Sequence, residues 1–221
     1  MFDILSGFLF LLIIVILMLA TSRYGYDIFS ELDSATKLQE INENPQKFRT
    51  GTLLVITEHV VIISLAFSLF IAFSPYNLLL GVIWVIARGG EGLIQIYNKS
   101  KFLGLQEIAK QYSGVSGAEK EALSENALAI LKSKNSTFSL AQILFSIGTL
   151  AYSILFVMTG VVPELLGWFG IVASIIYGFG NAVSRVRPNF KALWDLGGLL
   201  IWIFELILGG WLLATPFITP Y

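Results

Sequence analysis

Five ionisable residues interrupt runs that are otherwise apolar: Glu58, His59, Arg88, Glu91 and Glu205. A charge at membrane depth costs roughly 3 kcal/mol or more unless it is paired or hydrated, so each needs a partner or a task. Arg88 offers one fixed positive charge, and its planar fork is able to hold Glu91 or Glu205 bidentately. Against three carboxyls that leaves one or two over. These must be protonated, paired with His59 as an imidazolium, or matched by a bound cation or cationic ligand. Gln95, Gln142, Tyr177 and Asn181 add polar groups at similar positions in their runs. The leading expectation is therefore a site for a small cationic or lipid-like ligand, or for protons or ions, built from Glu58, His59, Arg88, Glu91, Gln95, Gln142, Tyr177, Asn181 and Glu205. Two other classes stay open. One is a structural or accessory subunit, in which the network only pins helix packing and the partners are other membrane proteins or further copies of the chain. The other is a lipid-directed membrane enzyme with Glu58 or Glu91 as general base beside His59, although no nucleophile–base–orienter motif is visible.

Other chemistries are excluded or disfavoured by composition. There is no Cys and only one His, so thiolate metal sites, iron–sulfur clusters and bis-His haem have no ligands, and neither a metal nor a cofactor is expected. Gly89-Gly90 and Gly178-Phe179-Gly180 lack the strand context that a phosphate-binding loop requires. A net charge of −1 gives no basic surface for nucleic acid.

The elements that position these residues follow from hydropathy. The chain has 221 residues, 56% hydrophobic and 13% charged, with a mean hydropathy of +0.77. A bilayer core about 30 Å thick needs roughly 20 apolar helical residues per crossing. Six runs qualify, over residues 4–20, 51–73, 78–97, 138–160, 165–183 and 196–214, predicting an all-α polytopic bundle that forms one integral membrane domain across 1–221. Long continuous Leu-, Ile-, Phe- and Gly-rich runs exclude a β-barrel, which needs strict alternation over about ten residues. On the third run Asn77, Gly81, Trp84, Arg88, Glu91, Gln95 and Asn98 share one helical face; Gly198, Trp202, Glu205 and Gly209 do so on the sixth, and Gly167, Gly170, Ser174, Tyr177 and Asn181 on the fifth. Those faces should look inward, with small residues allowing close approach. At 1.5 Å per residue, Glu58 and Glu91 lie roughly 10 Å into their spans, so polar groups from five helices are expected in one layer.

Arg88 aside, the 14 Lys and Arg residues sit in three connections, Arg23 to Arg49, Lys99 to Lys134 and Arg185 to Lys191. The positive-inside rule then makes this a multi-pass cell-membrane protein with those connections in the cytoplasm and both termini outside. The opening Met1-Phe2-Asp3 lacks a basic n-region, so the first run reads as a retained span rather than a signal peptide. In the first connection, residues 33–41 read either as a short amphipathic helix with Leu38 and Ile41 facing the membrane or bundle, or as a solvated linker. In the second, Ser116-Gly117-Ala118-Glu119 matches a capping box ahead of a helix carrying Leu123, Leu128 and Leu131.

Several stretches resemble one family of prokaryotic membrane proteins. They are Asp33-Ser34-Ala35-Thr36, Phe48-Arg49-Thr50-Gly51, Arg88-Gly89-Gly90-Glu91, Val162-Pro163-Glu164-Leu165-Leu166-Gly167 and Phe204-Glu205-Leu206. Together they are similar to the family known as domain of unknown function 4386, across most of the chain. The resemblance implies a polytopic bacterial or archaeal membrane protein and carries no agreed activity. The chain departs from the family pattern in lacking a basic N-terminus and in the greater length of the connection from Lys99 to Lys134.

Overall fold

The structure is a computed structural model that describes residues 2–218; Met1 and residues 219–221, parts of the chain ends that hold no Lys or Arg, lie outside them. The described residues form helices and turns, without strands: α1 (Phe2–Ser22), α2 (Ser34–Glu43), α3 (Pro45–Phe73), α4 (Leu78–Leu103), α5 (Leu105–Tyr112), α6 (Ala118–Thr159), α7 (Glu164–Val186), a 3₁₀ turn (Pro188–Phe190) and α8 (Lys191–Ile218). Six of the helical segments are long and apolar enough to cross a membrane, so the all-α expectation holds.

Local chemistry sets the boundaries. The Asp33 carboxylate accepts the Thr36 amide at 3.1 Å and caps α2. The Asn44 amide donates to the Glu40 carbonyl at 3.1 Å, closing α2, while its side-chain oxygen accepts the Lys47 amide at 3.2 Å. Pro45 then takes the first position of α3, where its missing N–H costs nothing. Asn77 repeats the device at the start of α4, accepting the Leu80 amide at 3.1 Å. Gly160 ends α6 with φ +67°, a left-handed conformation that glycine adopts without strain.

Two differences from the sequence reading stand out. The apolar run from Phe138 is the later part of a single 42-residue helix, α6, continuous with the helix expected after Ser116. No Gly or Pro occurs between Ala118 and Ile147, so nothing stops a helix begun before Glu119. Likewise α4 runs on to Leu103 and is followed closely by α5, so the connection from Lys99 to Lys134 is helical on both sides of residues 113–117. In the first connection the amphipathic helix, not the linker, is what forms, with Leu38 and Ile41 both buried.

The chain divides into two compact units. The first comprises Met1–Ile14, Val60–Leu93 and Ser139–Tyr221. Its core is aromatic: the Tyr152 ring meets Trp84 edge-on at 4.5 Å, and Phe156 at 5.2 Å. Around it pack Phe10, Leu65, Leu69, Phe204 and Leu208. Helices α7 and α8 pack closely, because a Cβ on Gly197 would lie 2.5 Å from the Tyr177 Cα and one on Gly180 2.7 Å from the Trp194 amide. The inward face of α8 carries Gly197, Ile201, Phe204 and Leu208 together with Glu205 and Gly209 of the expected face, all buried, whereas Trp202 of that face is 42% exposed. The second unit, Val15–His59 with Ile94–Phe138, has a core of Tyr26, Leu38, Ile41, Val55, Phe102, Leu105 and Leu131.

Candidate functional site

In the first unit the structure brings together Arg88, Glu91 and Glu205, as the counting of charges required. Arg88 Nη1 donates to Glu91 Oε2 at 2.5 Å along one turn of α4, and Nη2 lies 3.9 Å from Glu205 Oε1 of α8. All three residues are buried, Arg88 to within 1%. The guanidinium carbon sits 4.2 Å from the Phe145 ring centroid and 5.4 Å from that of Trp84, a cation–π setting that replaces part of the lost hydration. Gly148 makes room for the stem, since a Cβ there would lie 2.8 Å from Arg88 Cγ. The Arg88 Nε has no hydrogen-bond partner within the protein.

A polar wall from α6 and α7 stands beside this group. The Tyr177 hydroxyl donates to Gln142 Oε1 at 2.6 Å, and its ring meets Phe145 edge-on at 5.6 Å. Tyr177 lies within electrostatic reach of Glu91, Glu205 and Arg88. Asn181 has a different job: its amide donates to the Ser139 carbonyl and its oxygen accepts the Ser139 hydroxyl, both at 2.6 Å, clamping α7 to α6.

The remaining expected residues, Glu58, His59 and Gln95, belong to the second unit. His59 Nδ1 is 2.7 Å from the Val55 carbonyl and 3.0 Å from Glu58 Oε2. The carbonyl can only accept, so Nδ1 carries the hydrogen. Gln95 Oε1 accepts from Lys99 Nζ at 3.0 Å. The layer expected from depth is thus seen as two groups, each described within its own unit.

Sequence reasoning missed the lysines. Lys99 and Lys134 were counted as loop charges, yet both are 1% exposed. Lys134 Nζ donates to the Asp27 carbonyl at 2.6 Å, the Ile28 carbonyl at 3.1 Å and the Ser30 hydroxyl at 2.8 Å. Next to it Asn135 exchanges two hydrogen bonds with the Ser30 backbone, at 2.9 and 2.7 Å. Together they fasten the α1–α2 connection to α6. A signal existed for Lys99, which continues the Arg88–Glu91–Gln95 face by one further turn.

Outside the spans, electrostatics are local. Burial pushes the Tyr26 hydroxyl well above its ordinary pKa, helped by Glu58 and Asp27. Burial lowers the Lys37 pKa, but hydrogen bonds to Asp27 and Glu40 outweigh it and the net shift is upward. No group of three or more His, Asp or Glu able to hold a metal is found among the described residues.

No curated protein and no solved structure matches this chain. One family does, described as "Domain of unknown function (DUF4386)", over residues 5–215. That match spans every motif on which the resemblance rested, together with Arg88, Glu91 and Glu205. The six apolar helices fit an integral membrane protein, and the chain belongs to the DUF4386 family.

Proposed function

We propose that this protein is an integral membrane protein that takes up one positive charge, a proton or a small cation, at Arg88, Glu91 and Glu205. The observation that carries this reading is the charge count at one buried point: a single guanidinium faces two carboxyls. With both acids ionised the group carries a formal −1, and an uncompensated charge in a low-dielectric interior is expensive. Adding one proton or one cation makes it neutral. Phe145, Trp84 and the Tyr177–Gln142 pair supply a wall that is apolar on one side and hydrogen-bonding on the other. Uptake and release of a single charge suit ion coupling or ligand binding better than catalysis, since no nucleophile is aligned with a base there. In this reading the three basic connections lie in the cytoplasm of a prokaryotic cell and both chain ends lie outside.

The test is infrared titration of the purified protein in lipid nanodiscs. The wild type should show the C=O stretch of a protonated carboxyl at neutral pH, lost in Glu205→Gln or Glu91→Gln and kept in Glu164→Gln. A bound cation seen by native mass spectrometry in the wild type, and absent from the same variants, supports the ligand version. Neither signal in the wild type would leave the network as a structural clamp and defeat the proposal.

A further inference from the structure

The second unit contains a surface cleft and, sharing part of its lining, a small hollow that reaches the buried Tyr26. A cleft of about 420 Å³ is lined by Tyr24, Asp27, Lys37, Glu40, Lys47 and Phe48, among others. It shares Tyr24, Gly25, Asp27, Lys37 and Phe48 with a hollow of about 20 Å³ whose inner end is formed by Tyr26 and Phe102. About 10–15 Å³ of such space suffices for one water molecule.

Tyr26 links the hollow to buried charge. Its ring centroid lies 5.9 Å from Lys99 Nζ and 5.2 Å from Lys134 Nζ. Lys134 has three oxygen acceptors, one for each of its hydrogens. Lys99 has one hydrogen bond, to Gln95. The Tyr26 hydroxyl, Gln95 Nε2 and Glu58 Oε2 are buried with no hydrogen-bond partner. Glu58 lies within electrostatic reach of both Tyr26 and Lys99. Each unmet buried polar atom costs roughly 1–3 kcal/mol, so several grouped around one lysine demand a shared partner. The set mixes donors on Lys99 and Gln95, an acceptor on Glu58 and a hydroxyl that does both. Water satisfies such a mixture, whereas a bare anion or cation satisfies only half of it.

We propose that the Tyr24–Asp27–Lys37 cleft opens into a water-filled path that passes Tyr26 and lets Glu58 exchange protons with the solvent. Along it each water accepts one proton and passes one on. The net change is one proton gained by the Glu58 carboxylate and one hydronium in the cleft converted to water. Lys99 of α4 balances the ionised carboxylate, and His59, next to Glu58 on α3, has its Nδ1 3.0 Å from Glu58 Oε2. Lys134 and Asp27 stand farther back, around Tyr26. This proposal is independent of the Arg88 site, and failure of either leaves the other standing.

Hydroxyl-radical footprinting of the wild type in nanodiscs tests the hydration. Tyr177 is the internal control, with the same ring, 9% exposure against 8% for Tyr26, and a hydroxyl already bonded to Gln142. Bound water should make Tyr26 label several-fold faster than Tyr177; equal labelling overturns the proposal. The path is tested by stopped-flow exchange of deuterium into Glu58 after a jump to acid pH in D2O, where the carboxyl is protonated, read on its C=O infrared band, which Glu58→Gln removes. Tyr26→Phe should slow that exchange, and an unchanged rate overturns the path. Should Tyr26→Phe fail to fold, the wild-type footprint alone decides.

Discussion

Asp33 shows how one side chain joins local structure to solution behaviour. It is exposed, and the Thr36 hydroxyl and then the Thr36 amide hold its carboxyl below the usual range. A carboxylate with a depressed native pKa stabilises the fold in full above its unfolded value of about 3.9 and loses that contribution as pH falls through the native value. Hydrogen exchange, corrected for intrinsic rates, should therefore show α2 losing protection only below about pH 4. Asp33→Asn keeps a capping oxygen and should leave α2 protected with no such pH step. Asp33→Ala should lower protection at every pH. Lys134 is the buried counterpart: a residue type that is nearly always solvated is held inside by three oxygens and by the Phe102 ring 5.0 Å away. Its identity alone could not reveal this.

Among the helices, the α7–α8 pair turns on which glycine of Gly197-Gly198 faces its neighbour. A Cβ on Gly197 would strike the Tyr177 backbone, whereas one on Gly198 would meet only the Tyr177 ring at 3.5 Å, an ordinary contact. Gly197→Ala should therefore cost about 1–3 kcal/mol through overpacking, and Gly198→Ala should be close to neutral. Thermal unfolding of the two variants in one detergent provides the comparison, and equal destabilisation would contradict the assigned face. The sequence pattern located this helix and turned Glu205 and Gly209 inward, but chose Gly198 and Trp202 where Gly197 and Ile201 are the buried positions. Spacing defines a stripe on a helix, and the partner's shape selects within it. The same limit shows in α6, where the helix expected after Ser116 and the apolar run from Phe138 join into one, because no Gly or Pro interrupts the residues between them.

For the molecule as a whole, six apolar helices and the placement of basic residues lead to one orientation. Lys99 and Lys134 are buried, so the cytoplasmic assignment now rests on the basic residues that reach solvent, including Arg23, Lys47, Lys132, Arg187 and Lys191. These still fall in the same three connections, so the proposed orientation is unaltered. Reporter fusions at the C-terminus should read outside the cytoplasm, and fusions within residues 113–117 should read inside it. The reverse pattern would refute the charge rule for this protein.

By itself the sequence determined the spans, because membrane insertion depends on summed hydropathy along contiguous residues. It also determined that Arg88, Glu91 and Glu205 had to meet partners, because buried charge has no other low-energy solution. Tertiary structure decided what is set by distance between residues far apart in the chain. It joined Arg88 to Glu205, used Gly148 to admit the arginine stem, and enclosed Lys99 beside Gln95 and Tyr26. A lysine's charge is written in the sequence, but whether water or protein surrounds that charge depends on packing.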